Sequence, residues 1–354
     1  MSEAKVRIPN PQQPDTPRVR RVAGTPNQIG RRLGETIGAR LEKTIEFYIT
    51  EGPARFGSVD WAKLATGAQP WLDDLPTRFV DEIEGIAEGS GVPLQRIAEW
   101  SFVESCTSYG CSSVLINHQG ATWIARNNDL WAPDVWGYAT IRDIQCGSRI
   151  PTLLFGMEGE PFSATGVNKE RLWLHCHFLS TSDRPTGGKP VQDFFVWLTD
   201  ALETCMRLSD IERRLSMIQR TAAMLLFAVD GCNGERAVYE CGCASHHRLA
   251  DPNPWIAGTN HRRGAASVEP SSQSRFNALN RSAERIPHGQ ESIAQDLICL
   301  LADPEVEQRG EFSGTVYSVV ACPQSGKIHF TFGGFPAATQ GRWTTLGWPW
   351  NTGS

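Results

Sequence analysis

Ten cysteines are spread over the chain, at 106, 111, 146, 176, 205, 232, 241, 243, 299 and 322, and one of them sits where chemistry is possible. Tyr109-Gly110-Cys111-Ser112-Ser113 marks an abrupt change from helical periodicity to strand alternation, and Ala125-Arg126-Asn127-Asn128-Asp129 follows at hairpin distance. A turn at Asn117-His118-Gln119-Gly120 returns the second strand so that Arg126 and Asp129 lie at the end where Cys111 begins. A thiol at the mouth of a strand can be exposed while its backbone is held rigidly. Glycine before it leaves the preceding carbonyl accessible and permits strained backbone angles. The Cys111 thiol can then attack the Gly110 carbonyl, take the acyl group from nitrogen and lose it to water, freeing an α-amino group on Cys111. With a reference pKa of about 7.7 to 8.0, that amine is a general base near neutral pH, so no histidine is required.

Gly110-Cys111-Ser112-Ser113, then Arg126-Asn127-Asn128-Asp129, then Gly258-Thr259-Asn260-His261 and Ser274-Arg275-Phe276 follow in order along the chain. The pattern resembles the isopenicillin-N acyltransferase-like family of autoproteolytic N-terminal-nucleophile hydrolases, relatives of the choloylglycine hydrolases. Upstream, Glu84 to Gly91 resembles the helix and break of that family's propeptide, and the similarity runs from about residue 25 to about residue 337. The resemblance implies an α+β fold, a four-layer αββα sandwich, with Cys111 as nucleophile once residues 1–110 are cut away as a chain that stays associated. It implies that Asp129 orients the freed amino group, that Arg126 beside the thiol favours thiolate, and that Asn260 donates to the developing oxyanion. Arg275 matches a second arginine near the substrate. No cofactor is implied. Two departures stand out in the resemblance: Arg171 occupies a glycine position of the Gly166 to Leu172 hairpin, so that turn is expected to differ, and His177 stands in place of an asparagine.

The bland readings stand beside these. Cys111 could be a small buried hydrophobe, Asp129 a turn residue, Asn260 a loop amide and Arg275 the start of a helix. Cys241-Gly242-Cys243 with His246-His247 lacks the second ligand pair of a zinc site. His175 and His177 alternate along a strand and share one face, with Cys176 on the other. Trp131, Trp136 and Tyr138 follow closely and either rim the nucleophile's pocket, where they would accept an apolar or aromatic acyl group, or pack in the core.

The elements that must position these groups divide at Cys111. Ile29, Leu33, Ile37, Leu41 and Ile45 recur every four residues and predict one long amphipathic helix. Further helices are expected near Trp61 to Leu72, Leu75 to Glu88 and Pro93 to Trp100, the one over Leu75 to Glu88 ending at Gly89-Ser90-Gly91. From Cys111 onward, strands are expected near 112–116, 122–126, 138–144, 152–155, 172–178, 224–229, 237–241, 315–321 and 327–332. Helices are expected near 191–206, 209–218, 273–286 and 291–301. The division is a disordered polar tail over 1–24, a helical pro-segment over 25–110 and a catalytic unit over 111–354.

The bulk numbers exclude other classes. In 354 residues with a net charge of -5 and 21% charged residues, no basic stripe speaks for nucleic acid. The longest apolar run, Ala222 to Val229, is too short to cross a membrane. No secretory pattern opens the chain, which is expected to be cytoplasmic with reduced cysteines. The expected partner is a small N-acyl substrate, with the oligomeric state left open and a homo-oligomer admissible. The leading reading is hydrolysis of an N-acyl amine or amino acid through an acyl-enzyme on Cys111. Its alternatives are acyl-CoA-dependent N-acyl transfer through the same intermediate, and a non-catalytic binding protein on the same scaffold.

Overall fold

The computed structural model describes residues 19–46, 49, 61–106, 110–130, 139–250, 252–286, 292–310, 313–332 and 334–350. The first helix, α1 (Pro26–Ile37), opens on a capping box in which Thr25 and Gln28 bond each other's backbone. It stops at Gly38, φ 54°, and α2 (Arg40–Glu46) continues the chain. The single long helix expected from the apolar spacing is therefore two, because Gly38 adopts a left-handed conformation that ends the ladder. The next expected helix is likewise divided, at Gly67, into α3 (Trp61–Ala65) and α4 (Ala68–Asp73). After α5 (Thr77–Ser90), closed by Gly91 at φ 74°, α6 (Leu94–Cys106) runs six residues past the expected end at Trp100. Val103, Glu104 and Ser105 extend its buried face.

The strands follow. Val19–Gly24, assigned from sequence to the tail, instead forms β1, paired in parallel with β4 (Ala139–Cys146) at the edge of a sheet. Beyond it come β2 (Cys111–His118), β3 (Ala121–Leu130), β5 (Thr152–Met157), β6 (Thr165–Asn168) and β7 (Leu172–Leu179). A short pair, β8 (Val191–Gln192) and β9 (Gln219–Arg220), brackets α7 (Phe194–Thr204) and α8 (Leu208–Met217). Then come β10 (Ala223–Asp230), β11 (Glu235–Cys241), β12 (His246–Arg248), β13 (Trp255–Gly258), α9 (Pro270–Arg285) and α10 (Ile293–Leu301). The described chain closes with β14 (Gly314–Cys322), β15 (Lys327–Phe332), α11 (Ala337–Gln340) and β16 (Arg342–Leu346).

One sheet has the order β1-β4-β5-β6-β7-β10-β11-β12 and the other β13-β2-β3-β14-β15-β16. Between them, Phe155, Trp173, Leu225 and Phe227 of the first meet Leu115, Ile124, Tyr317 and Val319 of the second. On the outer face of the larger sheet, Leu154, Leu174 and Leu226 pack against Trp197, Leu198 and Ile211 of α7 and α8. On the outer face of the smaller, Val114, Ile116 and Ala125 pack against Leu279 and Leu297 of α9 and α10. This is a four-layer αββα sandwich, the architecture expected. Ile83, Ile97, Trp100 and Val103 of α5 and α6 join Met157 and Phe162 in the inter-sheet core, so the N-terminal helices are built into the sandwich.

Candidate active site

The hairpin that carries the site turns where the sequence says. Gln119 and Gly120 adopt φ 51° and 79°, the paired positive angles of a tight two-residue hairpin turn, and the register runs from His118↔Ala121 to Cys111↔Asn128. Period-two alternation then puts Cys111, Ser113, Arg126 and Asn128 on one face, toward the other sheet, and Asp129 on the opposite face, toward α9. An extra residue in β14, Val316, breaks the register between Asn128↔Tyr317 and Asp129↔Thr315. A bulge of this kind re-aims side chains locally.

On the inner face the Cys111 thiol lies 3.6 Å from Arg126 Nη2 and 3.9 Å from Asn128 Oδ1. Arg126 Nη2 also donates to Asn128 Oδ1 at 2.7 Å, and its Nη1 donates to the Cys176 carbonyl at 2.9 Å. The thiol is buried in the intact chain: Cys111 is only 4% accessible. Burial pushes it above its ordinary pKa; Arg126 pulls the other way but is outweighed in the intact chain.

On the outer side the Gly110 carbonyl accepts the backbone N–H of Asp129 at 3.0 Å. A Cβ at Gly110 would stand 2.9 Å from Asp129 Oδ2, so glycine is required here for room beside the carboxylate; its φ is not among the positive ones. Thr315 Oγ1 donates to Asp129 Oδ1 at 2.7 Å. Oδ2 is buried and accepts no hydrogen bond among the described residues, its nearest cation being Arg275 Nη1 at 4.0 Å. Burial pushes the Asp129 carboxyl up to about 6, with Arg275, Thr315 and Arg126 pulling it down.

Asn260, just past β13, presents its oxygen rather than its nitrogen to the nucleophile. Oδ1 accepts the Cys111 backbone N–H at 2.7 Å and Arg275 Nη2 at 3.3 Å, while Nδ2 donates to the Phe178 carbonyl at 3.1 Å. The oxyanion role implied by resemblance is thus not the one its amide fills in the intact chain. Arg275, on α9, donates through Nη1 to the Cys111 carbonyl at 2.5 Å and to Ser112 Oγ at 3.0 Å. It is a clamp on the nucleophile's strand.

His175 and His177 share the inter-sheet face, as expected, with Phe227 stacked on His175 at 4.5 Å, while Cys176 joins the outer cluster. Burial, reinforced by Arg126, holds both rings well below their ordinary pKa, hence neutral. His177 Nδ1 faces the Thr259 carbonyl at 2.9 Å and so carries the proton, and Nε2 accepts from Ser113 Oγ at 2.7 Å. The departure at position 177 therefore ties the nucleophile's strand to the segment before Asn260.

The departure at Arg171 is accommodated differently than expected. Arg171 itself takes φ 65°, so the turn keeps the angle that glycine favours. Its side chain bonds the Pro323 and Gln324 carbonyls at 2.6 and 3.1 Å and lies over Trp348 at 4.8 Å. Trp131, Trp136 and Tyr138 lie outside the described residues.

Sequence reasoning missed Asn128 and Thr315. Counting back from the turn pairs Asn128 with Cys111, a signal that was available; nothing local joins Thr315 to Asp129, 186 positions away. A cavity of about 40 Å³ adjoins Asn128 and is walled by Leu130, Phe155, Phe162, Tyr317 and, from α6, Glu104. Sites for drug-sized molecules run to about 300–1,000 Å³. The intact chain is closed around its thiol.

Cys111 thus opens a strand of the smaller sheet in an αββα scaffold, its preceding carbonyl hydrogen-bonded by the Asp129 N–H and the Asp129 carboxylate buried beside Gly110. No family model and no curated protein matches the chain. Solved structures with a similar chain course include the conjugated bile acid hydrolase from Clostridium perfringens (TM-score 0.48, 11% identity, covering 69% of this chain and 93% of that one). Another is the N-acylethanolamine-hydrolyzing acid amidase ortholog of Caenorhabditis elegans (0.45, 14%, 60% and 93%). A third is penicillin V acylase from Agrobacterium tumefaciens (0.47, 14%, 67% and 86%).

Proposed function

We propose that this chain is a precursor that cuts itself between Gly110 and Cys111 and then hydrolyses a linear N-acyl amine or N-acyl amino acid through an acyl-enzyme on Cys111. The observation that carries the reading is the pairing at Gly110. Its carbonyl oxygen is already hydrogen-bonded by the Asp129 N–H, while Asp129 Oδ2 lies buried beside it with no hydrogen bond among the described residues. In the cut, the thiol adds to the Gly110 carbonyl and loses its proton. The C–N bond breaks as the amine is protonated, and water splits the Gly110 thioester to a carboxylate and the free thiol. The ammonium so created adds a positive charge beside Asp129, whose cation in the intact chain is Arg275 at 4.0 Å, with Asn260 Oδ1 already on that nitrogen at 2.7 Å.

In turnover the neutral α-amine takes the thiol proton and passes it to the leaving nitrogen, and then activates the water that releases the acid. The names of the similar solved structures, all amide-cleaving hydrolases or acylases, agree in reaction type, and the motif resemblance to the isopenicillin-N acyltransferase-like family agrees in the residues. The test is the intact mass of the purified protein. Wild type is expected to yield two chains, the second beginning at Cys111, and Cys111→Ala one uncut chain inactive toward N-acyl substrates. A wild-type chain that stays whole, or a cut independent of Cys111, defeats the reading.

A further inference from the structure

The hydrogen bonds around the thiol separate two jobs. The carbonyl cut during maturation is Gly110's, and its oxygen is held by the Asp129 backbone N–H at 3.0 Å, in line with the ladder that joins the two strands. A substrate carbonyl must instead come to Cys111 from the inner face, where the thiol points. Asn260, the obvious donor for its oxyanion, turns Oδ1 to the Cys111 nitrogen and commits Nδ2 to the Phe178 carbonyl. On the inner face stands Asn128. It is directly opposite Cys111 in the hairpin register, which places the two side chains side by side. Its Oδ1 is fixed by Arg126 Nη2 at 2.7 Å, and a guanidinium can only donate, so the amide's orientation is set. Nδ2 is therefore the amide atom turned from Arg126, Oδ1 being the one 3.9 Å from the thiol, and Asn128 lines the cavity walled by Leu130, Phe155 and Tyr317.

From this the geometry points to Asn128 Nδ2 as the side-chain donor to the oxyanion formed when a substrate acyl group adds to Cys111, distinct from the Asp129 N–H that serves the self-cleavage. The inference rests on the proposed function, since it needs a cut enzyme that forms an acyl-enzyme on Cys111. A thiolate adding to an amide carbonyl moves the C=O pair onto oxygen, and a fixed N–H donor there stabilises that charge in the transition state more than in the bound substrate.

The experiment compares wild type, Asn128→Asp and Asn128→Ala, each purified, checked for cutting by intact mass and for folding by thermal melt. Turnover is followed on a chromogenic N-acyl amide, and binding on the matching acyl aldehyde, whose adduct with a thiol carries the same tetrahedral oxygen. Asp is the informative replacement: it keeps an oxygen for Arg126 and removes the N–H. Both variants are expected to be recovered cut, with kcat lower by about 10²–10³-fold, KM within about threefold and aldehyde affinity falling in step with kcat. Aspartate is to be no better than alanine. Asn128→Asp with near-wild-type kcat would mean that position 128 only anchors Arg126, and the inference falls. It falls equally if KM rises while kcat holds, or if a folded variant stays uncut. Should Asn128→Asp not fold, the aldehyde-to-amide affinity ratio of Asn128→Ala decides, an unchanged ratio being the negative result. A wild-type chain that is never cut fails the proposed function instead, a result visible before any variant is made.

Discussion

Asp129 carries an electrostatic debt in the uncut chain that the cut should discharge. Its folded-state carboxyl is pushed up to about 6, above the ordinary 3.8, chiefly by burial. For an acid whose folded pKa is raised, the folded state binds more protons, so stability is greatest below the unfolded pKa and falls as pH rises through the folded value. In the uncut Cys111→Ala protein, raising the pH from about 4 to about 6 is expected to cost about 2 kcal/mol through this one group. Asp129→Asn in the same background should remove that part of the slope, and the processed protein, with an ammonium beside the carboxylate, should lack it. Urea titrations of the three proteins at a series of pH values check this; parallel curves would refute it. At this scale the site was legible where neighbours in sequence are neighbours in space. Cys111, Arg126 and Asp129 share one hairpin, and counting from its turn brings them together. It was illegible where a bond is made by folding alone, as from Thr315 to Asp129 or from Ser113 to His177. The oxygen-first orientation of Asn260 depends on Arg275 and Cys111 arriving from two other elements.

Among the elements, the α1–α5 crossing is set by four glycines. A Cβ at Gly30 would overlap the Glu82 carbonyl, at Gly34 that of Ile86, at Gly85 that of Asn27 and at Gly89 that of Arg31. The two helices therefore meet backbone to backbone, and since the atoms in the way are main chain, no side chain can swing aside. Gly85→Ala and Gly34→Ala should each cost about 1–3 kcal/mol from overpacking, despite alanine's better helix propensity. Denaturant midpoints in the Cys111→Ala background check it, and a stabilised variant would contradict it. The spacing Gly30 to Gly34 and Gly85 to Gly89 was in the sequence, but a glycine in a helix reads equally as a weak point or a close approach. Only the partner helix decides. The same ambiguity explains Gly38, which ends α1 where apolar spacing runs on, and Arg171, whose positive φ is held by contacts from residues 323, 324 and 348. Arg171→Ala keeps the strained angle and loses those contacts, whereas Arg171→Gly loses them but relieves the angle. The expected order of thermal stability is Arg, then Gly, then Ala, the last two about 1 kcal/mol apart. Alanine at or above glycine would show that the angle is unstrained.

At the scale of the molecule, a chain cut at Cys111 must survive as two pieces, and what holds them is both apolar and charged. The inter-sheet core is continuous across the junction, and α5 and α7 are joined by a buried ion cluster. Arg78 of α5 donates through Nε and Nη2 to the two oxygens of Glu203 at 2.9 and 2.6 Å, and through Nη1 to Glu82. Burial works against the charges of Glu82 and Arg78: it pushes Glu82 up, and at Arg78 it is overcome chiefly by the two carboxylates. Arg149, partly exposed, adds a second contact to Glu203 at 3.1 Å. A cluster of this kind contributes little net stability against an apolar substitute, but removing one member leaves its partners buried without compensation, at about 3–5 kcal/mol. Arg78→Met should therefore lower stability by that amount in both the uncut and the cut protein, with different outcomes. In the uncut chain the segments remain tethered and the loss appears only as a lower denaturant midpoint. Once cut, the same loss becomes a loss of association, and falls with dilution, because the pro-segment is then a separate binding partner. Size-exclusion chromatography over a dilution series should show wild-type pieces co-eluting throughout and the Arg78→Met pieces separating at the low end. Co-elution of the variant pieces at every concentration, with an unchanged midpoint, would mean that apolar packing alone holds the two segments.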